Sequence, residues 1–233
     1  FPFINIRGKI RAIQVKQFDD DNKTIRTNSI PYVIKGLYKE VNINPPSWIE
    51  KYNKNESKFD CLFGEHLLNK YPNNPIALVE APKSAVYGSL YYGFPKDDTQ
   101  LLWIAVYNLS SLSLAKVRVL KGRDVILFPD LSSTGNAYLQ WSEKAKKFEI
   151  ELEDTRFSVS NLLEENATEE QRINGLDIAD FLINSDWRDL RPSESIKDID
   201  VLPSVAITKV YSIKPKQQYN PEEWYWCRDE LND

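Results

Sequence analysis

Apolar residues in this chain come in short, dense runs separated by polar, helix-forming stretches. Ile76-Ala-Leu-Val-Glu80, Leu101-Leu-Trp-Ile-Ala-Val-Tyr107 and Val125-Ile-Leu-Phe128 are nearly continuous in apolar character. A strand that is apolar on both faces suits a parallel sheet covered on both sides. Helices are predicted between and after these runs, at Lys83–Tyr92, Ser113–Leu120 and Asn136–Lys147, and a fourth strand at Phe157-Ser-Val-Ser160. Strand alternating with helix predicts an α/β fold, a central and mainly parallel sheet flanked by helices. Phe63, Leu67 and Tyr71 recur at i, i+4 and i+8, which predicts an amphipathic helix packed on that sheet.

The beginning of the chain reads as a small β-rich region. Phe3–Arg7 and Ile10–Phe18 flank Gly8, and the second run roughly alternates apolar with polar residues. Asp19–Lys23 reads as a turn and Ile30-Pro-Tyr-Val-Ile34 as a third strand, before Asn44-Pro-Pro46 breaks the chain ahead of a short helical stretch at Trp48–Tyr52. The expected organisation is a β-rich region over 1–60, an α/β domain over 61–184 and a tail over 185–233. The tail carries Pro192, Pro203, Pro215 and Pro221, a strand expected at Ser204–Tyr211, and an aromatic stretch at Tyr219–Cys227 that either packs back on the domain or opens a further module. A start at Phe1 in a chain with no methionine predicts a piece of a longer protein.

Composition narrows the function classes. At 42% hydrophobic and 12% aromatic the chain holds ample material for a packed core, which excludes a disordered protein. No run approaches the ~20 apolar residues of a membrane helix, so a soluble, cytoplasmic chain without a membrane partner is expected. Cys61 and Cys227 are too few for a zinc ribbon and read as free thiols. The net charge of −4 argues against a generic electrostatic binder of nucleic acid. Local basic clusters at Lys116, Arg118, Lys121 and Arg123, and at Lys144, Lys146 and Lys147, keep contact with DNA or RNA open.

Ligands of parallel sheets bind outside the carboxyl ends of the strands. Glu80 and Asp130 fall at such ends, and Gly175-Leu-Asp-Ile-Ala-Asp180 places Asp177 and Asp180 after the fourth strand. Two or three converging carboxylates suit a hard cation such as Mg²⁺, which orients phosphates and stabilises developing charge. Each acid also has a plainer reading, as a solvated strand end or a helix cap, with Asp177 and Asp180 as a first-turn pair. His66, the single histidine, has no Cys or His at ligand spacing and reads as structural, as does Arg123 at the other end of the sheet. Trp103, in an expected central strand, and Trp141, on a helix, read as core.

Ile76-Ala-Leu-Val-Glu-Ala-Pro-Lys-Ser-Ala85 resembles the glutamate-bearing first motif of the Toprim fold, shared by primases, type IA and type II topoisomerases and related nucleases. Val125-Ile-Leu-Phe-Pro-Asp130 resembles its second motif, and Gly175-Leu-Asp-Ile-Ala-Asp-Phe-Leu182 resembles the tail motif of primase-type Toprims. Together with Cys61-Leu-Phe-Gly-Glu-His-Leu-Leu68 and Leu120-Lys-Gly-Arg123, these segments are similar to an uncharacterised Toprim-like family of bacterial mobile elements, often found behind a zinc-binding region. The resemblance spans 1–184 and implies a Toprim-like fold. It also implies Glu80 and Asp130 as catalytic and metal-binding residues, Asp177 and Asp180 as further ligands, Lys83 as a phosphate or nucleic-acid contact, and Mg²⁺ as the cofactor. The implied partners are DNA or RNA and other domains of a larger protein.

The pattern departs from the family in two places. Asp130 is followed by Leu131 and Ser132 where the second motif usually reads Asp-x-Asp, which removes a ligand from a two-metal site and leaves Glu80 and Asp130 for one ion. Ala81-Pro82 follows Glu80 where primases have glycine, nearer the topoisomerase form, yet no tyrosine nucleophile stands out among twelve. The first expectation is therefore a nucleic-acid- or nucleotide-binding module of a replication or mobile-element protein, holding one Mg²⁺. A metal-dependent phosphoryl-transfer enzyme, primase or nuclease, is the alternative, and a structural partner-docking domain the third. Carboxylates that converge in one cleft favour the first two, and carboxylates that point apart the last.

Overall fold

The computed structural model describes residues 1–54 and 59–191 of the 233. In chain order the strands are β1 (Pro2–Ile4), β2 (Ile10–Phe18), β3 (Thr24–Ser29), β4 (Ile76–Val79), β5 (Leu102–Ala105), β6 (Asp124–Phe128) and β7 (Arg156–Val159). The α-helices are α1 (Ile30–Glu40), α2 (Trp48–Lys54), α3 (Pro82–Tyr92), α4 (Leu114–Val117), α5 (Asn136–Glu151), α6 (Leu162–Asn166), α7 (Glu169–Ile173), α8 (Ile178–Ile183) and α9 (Trp187–Leu190).

The apolar runs pair as expected. β4 to β7 form a four-stranded sheet in the order β5-β4-β6-β7, every pairing parallel. Successive side chains of a strand alternate between faces, and both faces here are apolar. Ile76 and Leu78 of β4, Leu102 and Ile104 of β5, and Val125 and Leu127 of β6 join Trp141, Ala145 and Phe148 of α5 in one cluster. Ala77, Val79, Trp103, Ala105 and Phe128 join Ala85 of α3 and Ile178 and Leu182 of α8 in the other. The chain is thus an α/β protein whose parallel sheet is flanked by helices, preceded by a three-stranded antiparallel sheet in the order β1-β2-β3.

Trp103 is core, but its strand is an edge of the sheet rather than a central strand. The carboxyl end of that edge is covered. Phe63 donates its N–H to the Ala105 carbonyl at 2.8 Å and accepts the Ala105 N–H at 3.0 Å, an antiparallel bridge that occupies groups otherwise open to strand addition. The face of Trp103 lies flat on α3 because residue 88 is glycine. A Cβ there would stand 2.2 Å from Cδ2 of the indole.

The small sheet is held to the large domain by a buried carboxylate. Glu65 is 6% exposed, and it accepts the N–H of Ile6 at 2.9 Å and the N–H of Leu62 at 2.9 Å. Phe1 packs edge-on against Phe18, the last residue of β2, and against Phe63. Since Phe63 is bridged to Ala105, these contacts set the small sheet at the carboxyl side of the parallel one.

Several expectations are corrected. Ile30–Ile34 is not a strand but the start of α1, with Pro31 in the first turn, where its missing N–H costs no helical hydrogen bond. The third strand is instead Thr24–Ser29, a polar edge strand with little buried surface, so no apolar alternation marks it. The helix expected from Phe63, Leu67 and Tyr71 is a short 3₁₀ turn at Glu65–Asn69. Ser113–Leu120 divides into α4 and a 3₁₀ turn at Arg118–Leu120, and α5 runs to Glu151. The described residues fall within one compact unit, in which α9 packs on α3. The strand expected at Ser204–Tyr211, the aromatic stretch Tyr219–Cys227 and Cys227 itself lie outside the described residues. Among the described residues no helix is long and apolar enough to cross a membrane.

The packing at Gly88 sets up a paired comparison. Alanine is favoured over glycine in a helix by about 1 kcal/mol, but overpacking a core costs about 1–3 kcal/mol and more when the neighbour is rigid. Gly88→Ala is expected to lower stability by about 2 kcal/mol in urea denaturation. Gly36→Ala on α1, where an added Cβ meets no heavy atom within 4 Å, is expected to raise it by about 0.5–1 kcal/mol.

Candidate functional site

β4 leads through α3 to β5 on one side, and the chain then returns to lay β6 on the other side of β4. The crevice between β4 and β6 is therefore the switch point of the sheet, where α/β proteins bind ligands beyond the strands' carboxyl ends. Val79 pairs with Phe128 as the last residue of each strand, so Glu80 and Asp130 emerge side by side. The Asp130 N–H donates to Glu80 Oε1 at 3.1 Å. The two residues expected to carry chemistry are brought together.

Both carboxyls resist ionisation. Glu80 is 7% exposed, and burial pushes it up to about 7. The charge of Asp177 adds to the rise, while the Asp130 N–H and the Lys144 ammonium oppose it. Asp130 is pushed well above the ordinary carboxylate range, by burial first and then by Glu80 and Asp177, against an opposing pull from Lys83. Its Oδ1 is buried and receives no hydrogen bond. A buried acceptor without a donor is an incomplete site.

Asp177, Asp180 and Lys83 form a separate knot. Asp177 is the N-cap of α8 and accepts the Asp180 N–H at 2.9 Å, while Asp180 reaches back to the Asp177 N–H at 3.3 Å. This reciprocal arrangement is a capping box. Lys83 Nζ, its side chain 8% exposed, sits 2.8 Å from Asp177 Oδ2 and 3.1 Å from Asp180 Oδ1. Burial works against the Lys83 charge, but the two aspartates outweigh it and hold its pKa above the usual lysine value. The knot joins the start of α3 to the start of α8, and the neighbouring Leu131 N–H donates to the Leu176 carbonyl at 2.9 Å, drawing the segment against Asp130.

This arrangement alters the expected roles. Lys83, expected at a phosphate, has its ammonium between two carboxylates. Asp177 and Asp180, expected as metal ligands, are occupied by the cap and by Lys83. Among the described residues no group of three or more His, Cys, Asp and Glu side chains is placed to hold a metal ion. The four carboxylates thus divide into a neutralised pair and an open pair, Glu80 with Asp130. Two carboxylates with an unpartnered oxygen fit one Mg²⁺, an ion that keeps several waters and often takes only one or two protein carboxylates beside substrate phosphates. Ser132, at the position usual for a second aspartate, accepts the Ala137 N–H at 3.2 Å and so serves the start of α5.

The remaining candidates fall elsewhere. His66 lies on the 3₁₀ turn with Nδ1 buried and unpartnered, and it is not among the groups acting on Glu80 or Asp130. Arg123 donates to the carbonyls of Tyr71, Asn74 and Leu68, a purely structural use. Arg123 also lines an open cleft of about 680 Å³ at the amino ends of the strands, with Pro75, Asp124, Thr155 and Arg156, away from the carboxylates. Sequence reasoning missed Lys16, on which Asp177 and Asp130 act, and named Lys144, which acts on Glu80, only within a basic cluster. Lys144 donates to the Leu112 carbonyl at 2.9 Å. Their signal is spatial, since they lie on β2 and α5 rather than at a strand end.

The fold and the crevice define an α/β protein with a paired-carboxylate switch point. More narrowly, the chain belongs to the family described as "Domain of unknown function (DUF6371)", which matches residues 1–131, more than half of the 233. That span includes the small sheet, Glu80 and Asp130 and stops before the Asp177–Asp180 segment. No curated protein and no solved structure matches the chain.

Two consequences are measurable. Glu80 keeps its proton in the folded chain between its ordinary value of 4.5 and about 7, while the unfolded chain has released it. The folded state then binds more protons, so stability falls as pH rises through that window, by on the order of 3 kcal/mol for this group. With a chelator present, Glu80→Gln is expected to exceed wild type in stability by about 2 kcal/mol near pH 8 and to match it near pH 4.5 in urea melts. Lys83→Met leaves two aspartates without a counter-charge and is expected to cost about 3 kcal/mol near pH 7, with Asp177→Asn in the same chain restoring more than half.

Proposed function

We propose that this chain is a nucleotide- or nucleic-acid-binding module that holds one Mg²⁺ between Glu80 and Asp130 and presents it to ligand phosphates. The observation that carries this reading is the buried Asp130 Oδ1 with no donor, beside Glu80, at the switch point of a parallel sheet. Two adjoining acids whose ionisation is suppressed form a site that a divalent cation would stabilise strongly, because the ion replaces the protons they would otherwise keep. The resemblance of Ile76–Ala85 and Val125–Asp130 to the Toprim motifs supports the same pair and the same cofactor. It also supports a place in a replication or mobile-element protein.

A second reading, a phosphoryl-transfer enzyme of the primase or nuclease kind, draws support from Glu80 alone. A carboxyl pushed up to about 7 is poised to exchange a proton near neutral pH, as a general base must. A docking domain is the weaker reading, because Glu80 and Asp130 meet at the strand ends, with the Asp130 N–H on Glu80 Oε1.

Calorimetric titration of Mg²⁺ near pH 8 is expected to show one site in wild type and at least a tenfold loss of affinity in both Glu80→Gln and Asp130→Asn. Asp180→Asn is expected to bind Mg²⁺ within about threefold of wild type. Equal Mg²⁺ affinity in wild type and Glu80→Gln would exclude the proposed site. A Mg²⁺-dependent cleavage or synthesis activity abolished by Glu80→Gln would select the second reading.

A further inference from the structure

The small antiparallel sheet has polar residues where its sequence pattern would place apolar ones. In β2, Ile13 and Val15 are only half-buried, while the alternate positions Ala12 and Gln14 are 1% exposed. Ala12 joins Phe3 and Cys61 in an apolar cluster, so this is the face turned toward the rest of the domain. Continuing along the same face, the next residues are Gln14, Lys16 and Phe18. Gln14 Oε1 is buried with no hydrogen-bond donor. Lys16 is half-buried, and among the described residues its side chain makes no hydrogen bond or ion pair. An inward-facing lysine without a partner is costly in a folded chain unless something outside the chain completes it.

Its position says what that would be. The turn after β2 reaches the start of α3, with Lys83 Nζ donating to the Asn22 carbonyl at 3.4 Å, and Phe18 is fastened through Phe1 to Phe63 at the carboxyl end of β5. Lys16 thus lies on the face that closes over the carboxyl edge of the sheet. Burial lowers its pKa, the Lys83 charge adds to the fall, and Asp177 and Asp130 oppose it, so the charges acting on it are groups of the crevice. Nearby, the first turn of α3 has no side-chain cap at Ala81, and Ser84 in that turn is fully buried with an unpartnered hydroxyl. A helix start without a side-chain cap, a buried hydroxyl and an unpaired ammonium suit an anionic oxygen.

We propose that Lys16 is the phosphate-binding residue of the crevice, acting with the first turn of α3 and Ser84, and that the small sheet is a wall of the binding site. This inference rests on the phosphate-ligand reading given above and replaces Lys83, which its two aspartates already neutralise. The ligand group is a phosphate oxygen, of a free nucleotide or of a phosphodiester backbone.

The test is a titration of inorganic pyrophosphate into the full chain, with Mg²⁺ saturating and again in chelator. Lys16→Gln is expected to weaken pyrophosphate binding at least tenfold while leaving Mg²⁺ affinity within about twofold, and Lys16→Arg to stay within about threefold of wild type. Lys16-dependent pyrophosphate binding that persists in chelator would uphold this inference even if the Mg²⁺ site failed. A labelled oligothymidylate identifies the source of the phosphate. If it is a backbone, Lys16→Gln lowers the slope of log affinity against log salt by about 0.7; if it is a nucleotide, the slope is unchanged and only pyrophosphate binding falls. Pyrophosphate affinity equal in wild type and Lys16→Gln, or no uptake by wild type, would overturn the proposal.

Discussion

The ion pairs of Lys83 with Asp177 and Asp180 hold together the part of the molecule on which everything else depends. They fasten α3, the helix that follows β4, to α8, the third helix after the last strand, two elements nearly a hundred residues apart in the chain. With the Leu131–Leu176 hydrogen bond they press the Gly175 segment against the crevice. They also set its electrostatics. Asp177 disfavours ionisation of both Glu80 and Asp130, and Lys83 partly relieves Asp130. A buried ion pair adds little net stability compared with an apolar contact of the same size, and its value lies in fixing one arrangement. Here that arrangement leaves Glu80 and Asp130, neighbours at the strand ends, outside the ion pairs.

Much of the α/β architecture was legible because a parallel sheet covered on both faces needs strands that are apolar throughout. Ile76–Val79, Leu102–Ala105 and Val125–Phe128 satisfy that need, and their ends locate Glu80 and Asp130 without any structure. What remained hidden depends on partners distant in sequence. That Lys83 would be neutralised by Asp177 and Asp180 cannot be seen from its place after a strand, where a lysine at a phosphate looks the same. The small sheet was only half legible. β3 is polar and exposed, and Ile30–Ile34 is apolar enough for a strand but short enough to be a helical first turn, a distinction made only by the tolerance of an initial turn for Pro31.

β2 shows the opposite failure. Its alternation of apolar and polar residues was visible, but at its middle the residues that turn inward, Gln14 and Lys16, are polar, while Ile13 and Val15 take the other face. Local rules are broken in proteins mainly where a site requires it. The same tension runs through the crevice, where buried acids and an unpaired lysine lower the stability of the empty protein. A ligand that binds the folded chain recovers that loss by mass action. The core clusters on the two faces of the sheet are continuous and dense enough to bear it.

The hydrogen bonds of Glu65 have a bearing on how the molecule is made. β1, β2 and β3 pair through neighbouring segments, so the small sheet is assembled from residues close together in the chain. Its anchor to the rest, the N–H of Ile6 on Glu65, waits for a residue 59 positions later, and the strand edges beneath Lys16 come later still. Chains fold from the amino end as they emerge, at several residues per second. Glu65, β4 and β6 follow the small sheet in the chain, so its polar inner face stays hydrated until they arrive under it.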